Sequence, residues 1–190
     1  AKNELLLFLD CDTYFENNFF ENALNELKSR KINAAGSFVY PDGKNITDHS
    51  FFFLYRNFLL LFYKFIGFNG CCIFTLKSLH NQVNVFDESI KVSEDFDYVR
   101  KLKKITKIYI LKTTRIYTSV RRFEKNGRLN TGIKILLIGI YSLFFGKVTS
   151  NIFNYRFNDI PFNLIEKKSF KNNFILRKAN NLYKEIRTFF

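Results

Sequence analysis

Apolar and polar positions alternate along the first forty residues in a way that predicts strand, helix and strand. Residues 4–10 form a nearly unbroken apolar run, which predicts a buried strand. Residues 16–30 carry apolar side chains at helical spacing, and residues 34–40 predict a second strand before the turn signal Pro41-Asp42-Gly43. This order is typical of α/β proteins.

The middle of the chain continues the same alternation. Ser93 is expected to cap a helix over residues 94–104, with Glu94 and Asp95 in its first turn. The other elements predicted here are a strand over 70–76, a short helix near 77–83, and strand-like pieces at 107–111 and 114–119.

Two long apolar segments raise the question of a membrane. Arg56, Asn57 and Lys64 interrupt residues 51–68, which therefore fall short of the roughly 20 apolar residues of a spanning helix. We expect an amphipathic helix there, either packed on the core or lying in a membrane interface. Residues 129–147 favour an interfacial or re-entrant helix, with a spanning helix as the alternative.

These segments suggest a division of the chain into two parts. Residues 1–128 carry the α/β pattern, and residues 129–190 form a basic, apolar tail that we expect to be helical and membrane-associated. An amphipathic helix is predicted near 171–188 within that tail.

Composition narrows the class of partner. With 30 Lys and Arg against 17 acidic residues, the formal charge of +13 favours nucleic acid, phospholipid headgroups or phosphate-bearing substrates. A hydrophobic content of 47% excludes wholesale disorder. Cys11, Cys71 and Cys72 are odd in number and form no Cys-x-x-Cys pair, which indicates a reducing, cytosolic setting.

The first candidate site follows the first strand. Residues two apart on a strand point to the same side, so Asp10 and Asp12 are expected to converge at its carboxyl end. Open α/β sheets bind ligands at that end, and Mg²⁺ or Mn²⁺ prefers a few carboxylate oxygens together with phosphate oxygens. The pair therefore predicts a site for a metal and a diphosphate.

Four further elements follow in order, and the whole series resembles the family 2 glycosyltransferases of the GT-A fold. That family shows an Asp-x-Asp strand end, a Gly-rich strand, a Gly-Gly-Phe-Asp-Glu segment, a Glu-Asp pair opening a helix, and a Ser-x-Arg-Arg-Phe-like stretch. The matching segments run from about residue 4 to 128: Asp10-Cys11-Asp12, Gly70-Cys71-Cys72, Phe86-Asp87-Glu88, Ser93-Glu94-Asp95 and Ser119 to Phe123. Asn84-Val85 stands where the family has its glycine pair.

The resemblance implies a fold, a reaction and a set of partners. The fold would be α/β, a partial GT-A (Rossmann-like) mixed sheet with flanking helices, followed by C-terminal amphipathic or membrane-interface helices. The reaction would be inverting transfer of a sugar from a nucleotide-sugar donor to a glycan or lipid-linked acceptor. The enzyme would lie on the cytoplasmic face of a membrane, against an anionic surface.

The resemblance also assigns roles to residues. Asp10 and Asp12 would hold Mg²⁺ or Mn²⁺, and Asp95 would be the catalytic base. The residues implied in binding the donor diphosphate or the acceptor are Gly70, Glu94, Arg121 and Arg122.

The chain departs from the family before its first strand. Three strands with their helices, which form the nucleotide pocket, are expected there and are lacking in the sequence, so a sheet edge would be exposed. The chain would then be a fragment, half of an enzyme with a separately encoded N-terminal part, or an inactive remnant. The first residue, Ala1, is not Met, which favours a fragment.

Other interpretations of the same residues stay open. Leu9 to Thr13 resembles the nucleophile loop of haloacid-dehalogenase-like phosphatases, although the glycine of that loop is absent. A basic, aromatic nucleic-acid-binding module would fit the charge, but no recognition motif predicts a specific nucleic acid. The aspartates could also form a solvated turn, Glu94 and Asp95 could offset a helix dipole, and the arginines could be surface charges.

Overall fold

The fold is described from a computed structural model, over residues 1–68, 70–90 and 93–145, with side chains described to residue 141. These residues all belong to one of the chain's two compact units, Ala1–Tyr155. The strands are β1 Leu5–Leu9, β2 Thr13–Phe15, β3 Ala34–Asp42, β4 Cys72–Leu76 and β5 Tyr109–Ser119. The helices are α1 Phe19–Ser29, α2 Ile46–Ile66, α3 Lys77–Gln82, α4 Glu94–Ile105, α5 Arg121–Asn126 and α6 Arg128–Phe145.

The strands form one mixed sheet in the order β1-β4-β3-β5-β2. β4 runs antiparallel to both β1 and β3, and β3 runs parallel to β5. The carboxyl ends of β1, β3 and β5 therefore lie at the same end of the sheet, where α/β proteins bind ligands. The predicted α/β class and mixed sheet with flanking helices are confirmed.

Two apolar clusters cover the two faces of this sheet. Neighbouring residues of β4 alternate between them, since Ile73 belongs to one cluster and Phe74 to the other. Phe74 packs with α1, through side chains that include Phe19. Ile73 packs in the cluster that contains Phe68 and the fully buried Tyr98 of α4.

The break predicted within the last strand is a β-bulge, so two predicted pieces are one strand. The register against β3 shifts between Ser37 and Phe38. The Glu26 carboxylate of α1 accepts the backbone N–H groups of Lys112 and Thr113, at 2.9 and 3.0 Å. A buried side chain thus satisfies backbone donors that the strand partner leaves unpaired.

Most predicted elements exist, with three differences. α2 begins at Ile46, five residues before the apolar run, because the Asn45 side chain accepts the Thr47 N–H at 2.9 Å and caps the helix. Ser93 is the N-cap residue of α4, as predicted, but its hydroxyl makes no cap hydrogen bond. β2 and α5 were not predicted, because three and six residues are too short for a periodic signal.

The two long apolar segments are helices with partly exposed apolar faces. α2 buries Phe52 and Leu59 in the core, yet it also exposes several leucines and phenylalanines. In α6, Ile138 is buried whereas Ile133 and Leu136 are exposed. No helix in the described part of the chain is long and apolar enough to cross a membrane. Membrane association of residues 129–190 stays a prediction, and the helix predicted at 171–188 lies outside the described residues.

Candidate functional site

The turn after β1 carries the two aspartates of the first candidate site. β1 ends at Leu9, one residue before its predicted end, so Asp10 and Asp12 lie in the turn that follows the strand and do not continue its alternation. The Asp10 N–H donates to the Cys71 carbonyl at 3.2 Å, and the Ser119 N–H donates to the Asp12 carbonyl at 3.1 Å. The turn is therefore tied to the start of β4 and to the end of β5.

The predicted arginines lie on α5, beside this turn. Arg121 is exposed, and its Nη2 lies 3.7 Å from Oδ2 of Asp12. Burial raises the pKa of Asp10, a hydrogen bond from the Cys71 thiol lowers it, the charge of Asp12 raises it, and the charge of Arg122 lowers it. The net shift of the pKa of Asp10 is upward, mainly because burial disfavours its charged form, which a bound cation would favour.

Asp95 enters the site from the first turn of α4. Its Oδ2 accepts the N–H of Gly70 at 2.7 Å. A Cβ atom on Gly70 would lie 2.0 Å from the Cβ of Asp95, closer than any real contact, so only glycine fits here. The N–H of Gly70 is thus already bonded to Asp95. The geometry therefore gives Gly70 the role of positioning that carboxylate.

The surroundings of Asp95 disfavour its charged form. Burial, together with the charges of Glu94 and Asp10, raises the pKa of Asp95 to about 6, against hydrogen bonds from the N–H groups of Phe96 and Gly70 that lower it. Asp10 and Asp95 are therefore close enough to influence each other's protonation. Glu94 itself is exposed at the start of α4.

Two side chains that sequence reasoning did not assign to the site also lie near these carboxylates. Burial raises the pKa of the Cys71 thiol, and Asp10 and Asp95 raise it further. Burial likewise raises the pKa of Tyr55, with smaller effects from Cys71 and Asp95. Cys71 follows Gly70 directly, which was a signal for it, whereas Tyr55 comes from α2 and had none.

Asp10 and Asp12 are suited to a divalent cation only as a partial ligand set. The described residues contain no group of three or more His, Cys, Asp or Glu side chains arranged to hold a metal ion. Two hard carboxylate oxygens nevertheless match Mg²⁺ or Mn²⁺, which commonly binds one or two carboxylates and completes its shell with phosphate and water oxygens.

The fold and the site define an α/β protein with an acidic cluster at the carboxyl ends of its parallel strands. Comparisons of the chain with protein-family models, with curated proteins and with solved structures gave no match.

Proposed function

We propose that this protein is a glycosyltransferase with a partial GT-A fold, which transfers a sugar from a nucleotide-sugar donor to a glycan or lipid-linked acceptor. One observation carries the proposal: the turn after β1, the start of β4 and the start of α4 bring Asp10, Asp12, Gly70 and Asp95 together at one end of the sheet. Arg121 and Arg122 lie beside them. These segments are far apart in sequence and match the family motifs in order.

The backbone at positions 84 and 85 supports the same family. Asn84 and Val85 both adopt left-handed conformations, with φ of 58° and 54°. A β-branched residue rarely adopts such a conformation, whereas glycine does so freely. These are the two positions at which the family carries its glycine pair, so the chain keeps the backbone path although the residues differ.

The place of β1 in the sheet also agrees with the family. β1 pairs with β4 on one side and is an edge strand among the described residues. In the family, three strands precede the Asp-x-Asp strand, and they would pair along this edge. We propose that strands of this kind, from the same polypeptide or a separate one, complete the nucleotide pocket.

Asp95 has the protonation behaviour that a base requires. With a pKa of about 6, it is mostly ionised at neutral pH and holds a proton more readily than an ordinary aspartate. It would accept the proton of the acceptor hydroxyl as that oxygen bonds to the anomeric carbon. The bond from that carbon to the diphosphate breaks, and its electron pair leaves with the diphosphate.

The other charged residues would act on the leaving group. Arg121 and Arg122 offer guanidinium groups that bind phosphate oxygens with a planar fork of donors. A divalent cation bound by Asp10 and Asp12 would neutralise the charge of the departing diphosphate. The hydrogen bond from the Asp10 N–H to the Cys71 carbonyl and the one from the Ser119 N–H to the Asp12 carbonyl hold the turn that carries both aspartates.

The surface supports a peripheral place on an anionic membrane. α2 and α6 expose leucine, isoleucine and phenylalanine side chains, and the chain carries a formal charge of +13. Apolar side chains insert into the headgroup region, and basic residues near an anionic leaflet add about 1 kcal/mol each. We propose attachment to the cytoplasmic face, where nucleotide sugars would reach the site.

Sugar transfer from a panel of UDP-, GDP- and CDP-sugars in the presence of Mn²⁺ tests the proposal. We expect Asp95→Asn to keep donor binding and to lose transfer by about 10²–10⁴-fold, as for loss of a general base. Asp12→Asn should abolish the Mn²⁺-dependent transfer. Glu21→Gln, which changes an exposed carboxylate on α1, is the matched control.

Three results would contradict the proposal. Unchanged turnover in Asp12→Asn would contradict the proposed metal site. Equal loss of donor binding and of transfer in Asp95→Asn would indicate that Asp95 has a structural role. A covalent phosphate trapped on Asp10 with a phosphate mimic would favour a phosphatase of the haloacid-dehalogenase type.

A further inference from the structure

A groove separate from the acidic cluster lies between the end of β3 and α2. Its volume is about 450 Å³, within the range of small-molecule sites. Tyr40 and Pro41 line it from β3, and α2 contributes Phe52, Phe53, Leu54 and Arg56. The lining is therefore mostly apolar, with two polar residues, His49 and Ser50, and one cationic side chain, that of Arg56.

Two guanidinium groups share the ring of Tyr40, which lines this groove: that of Arg56, which also lines it, and that of Arg115. The Arg56 guanidinium lies 5.1 Å from the centre of the Tyr40 ring, and that of Arg115 lies 5.6 Å from the same centre. Neither arginine forms an ion pair with a carboxylate within the described part of the chain. Asp42, two residues after Tyr40, accepts a hydrogen bond from the Tyr14 hydroxyl at 2.9 Å. The positive charge is thus free to meet an anionic ligand.

The groove opens onto an apolar surface of α2. Leu54 lines the groove and is also the first residue of an exposed stripe at helical spacing, which we call the α2 stripe. Its members and their exposed fractions are Leu54 67%, Phe58 42%, Leu61 73% and Phe65 74%. Contiguous exposed apolar side chains of this kind usually mark a binding surface. A ligand can therefore have its charge in the groove and its apolar part along the α2 stripe.

We propose that this groove binds one anionic amphiphile, a phosphate ester that carries a hydrocarbon chain. The phosphate lies against Arg56 beside the Tyr40 ring, and the hydrocarbon passes Leu54 onto the α2 stripe. Such a phosphate belongs either to a bilayer phospholipid or to a single lipid-phosphate molecule, which share this chemistry. The groove assignment does not depend on glycosyl transfer.

Calorimetric titration with decyl phosphate, below the concentration at which it forms micelles, tests the groove directly. Arg56→Gln should weaken binding about tenfold, which corresponds to about 1.4 kcal/mol, because the charged hydrogen-bond donor to the phosphate is lost. Lys64→Gln is the matched control, since Lys64 is exposed on the same helix and does not line the groove. Circular dichroism checks that both variants are folded.

Two comparison ligands and one further variant complete the titration. Decanol, which lacks the charge, and inorganic phosphate, which lacks the chain, should each bind much more weakly than decyl phosphate. Asp12→Asn should bind decyl phosphate like the wild type, so failure of the proposed transferase function would not be mistaken for failure of the groove.

Equal weakening in Arg56→Gln and Lys64→Gln would overturn the proposal, because diffuse charge would then explain binding. Decanol or inorganic phosphate binding as tightly as decyl phosphate would also overturn it. Vesicles of phosphatidylcholine with phosphatidylglycerol distinguish the two sources: a larger loss in Arg56→Gln than in Lys64→Gln supports a bilayer phospholipid. If the two variants lose vesicle binding equally while only Arg56→Gln loses binding of decyl phosphate, the ligand is a single lipid-phosphate molecule.

Discussion

Replacement of Gly70 by alanine perturbs the proposed base through one added methyl group. The new Cβ would lie 2.0 Å from the Cβ of Asp95 and 2.3 Å from its Oδ2, so the two segments must separate. Overpacking of this kind costs about 1–3 kcal/mol. The separation also breaks the 2.7 Å hydrogen bond from the Gly70 N–H, and a hydrogen bond to a charged group is worth about 1.5–3 kcal/mol. We expect a total loss of about 2.5–6 kcal/mol in the free energy of unfolding.

The size of that loss should depend on pH. The hydrogen bond stabilises the ionised carboxylate, so its loss costs more where Asp95 is charged, above its pKa of about 6. Urea unfolding at about pH 8 and about pH 5 measures the difference, for which we expect about 1 kcal/mol. Carboxyl ¹³C NMR should show the pKa of Asp95 raised in Gly70→Ala, because a contact that lowers it is gone.

Gly139→Ala is the matched control for this substitution. Gly139 lies within α6, and a Cβ added there meets nothing within 4 Å. Alanine is the better helix former by about 1 kcal/mol, so this variant should be slightly more stable at both pH values. The geometry around Asp95 would be refuted if Gly70→Ala were as stable as the wild type, or if its free energy of unfolding fell by the same amount at both pH values.

Further predictions concern charge and backbone strain. In Asp95→Asn, unfolding should depend less on pH: the wild-type carboxyl has its pKa raised from 3.8 to about 6, so it destabilises the fold as pH rises through that window. The variant should gain at most about 3 kcal/mol near pH 8 and nothing below about pH 4, and a flat comparison would contradict this. Val85→Gly should gain about 0.5–1 kcal/mol in the free energy of unfolding, measured in urea, because the valine is strained at a φ of 54°. Val83→Gly, the control at a buried valine, should lose about 2 kcal/mol. Equal effects of the two substitutions would argue against backbone strain at Val85. Arg128→Met should lose about 3 kcal/mol in the free energy of unfolding, because the buried Asp48 then has no cation at its Oδ1. Asp48→Asn in the same chain should restore most of that loss, and Arg128→Met as stable as the wild type would contradict the prediction.

The sequence predicted the fold well where packing is one-sided and periodic. β1, β3, β4, α1 and α4 show alternation or helical spacing because one face of each is buried against the sheet core. The break that the pattern indicated before residue 114 was real but was a bulge, which depends on Glu26 from another element. Such a contact between distant residues leaves no local periodic signal.

The site was predicted unevenly for a similar reason. Asp10, Asp12 and Asp95 were predicted from the order of the motifs, and Asp10 lies close enough to both of the others for their charges to affect protonation, although a turn rather than a strand carries the aspartate pair. The role of Gly70 as the donor that holds Asp95 requires the distance between two segments. Tyr55 was missed because only the packing of α2 brings it near the carboxylates.

Binding of Mn²⁺, measured from the loss of the free-ion electron paramagnetic resonance signal, tests the central claim most directly. With inorganic pyrophosphate or UDP present, the wild type should take up Mn²⁺, each ligand strengthening the other. Asp12→Asn should abolish that uptake, and Glu21→Gln should keep it. Absence of Mn²⁺ uptake by the wild type with either diphosphate, or uptake unchanged in Asp12→Asn, would contradict a metal–diphosphate site at the turn after β1.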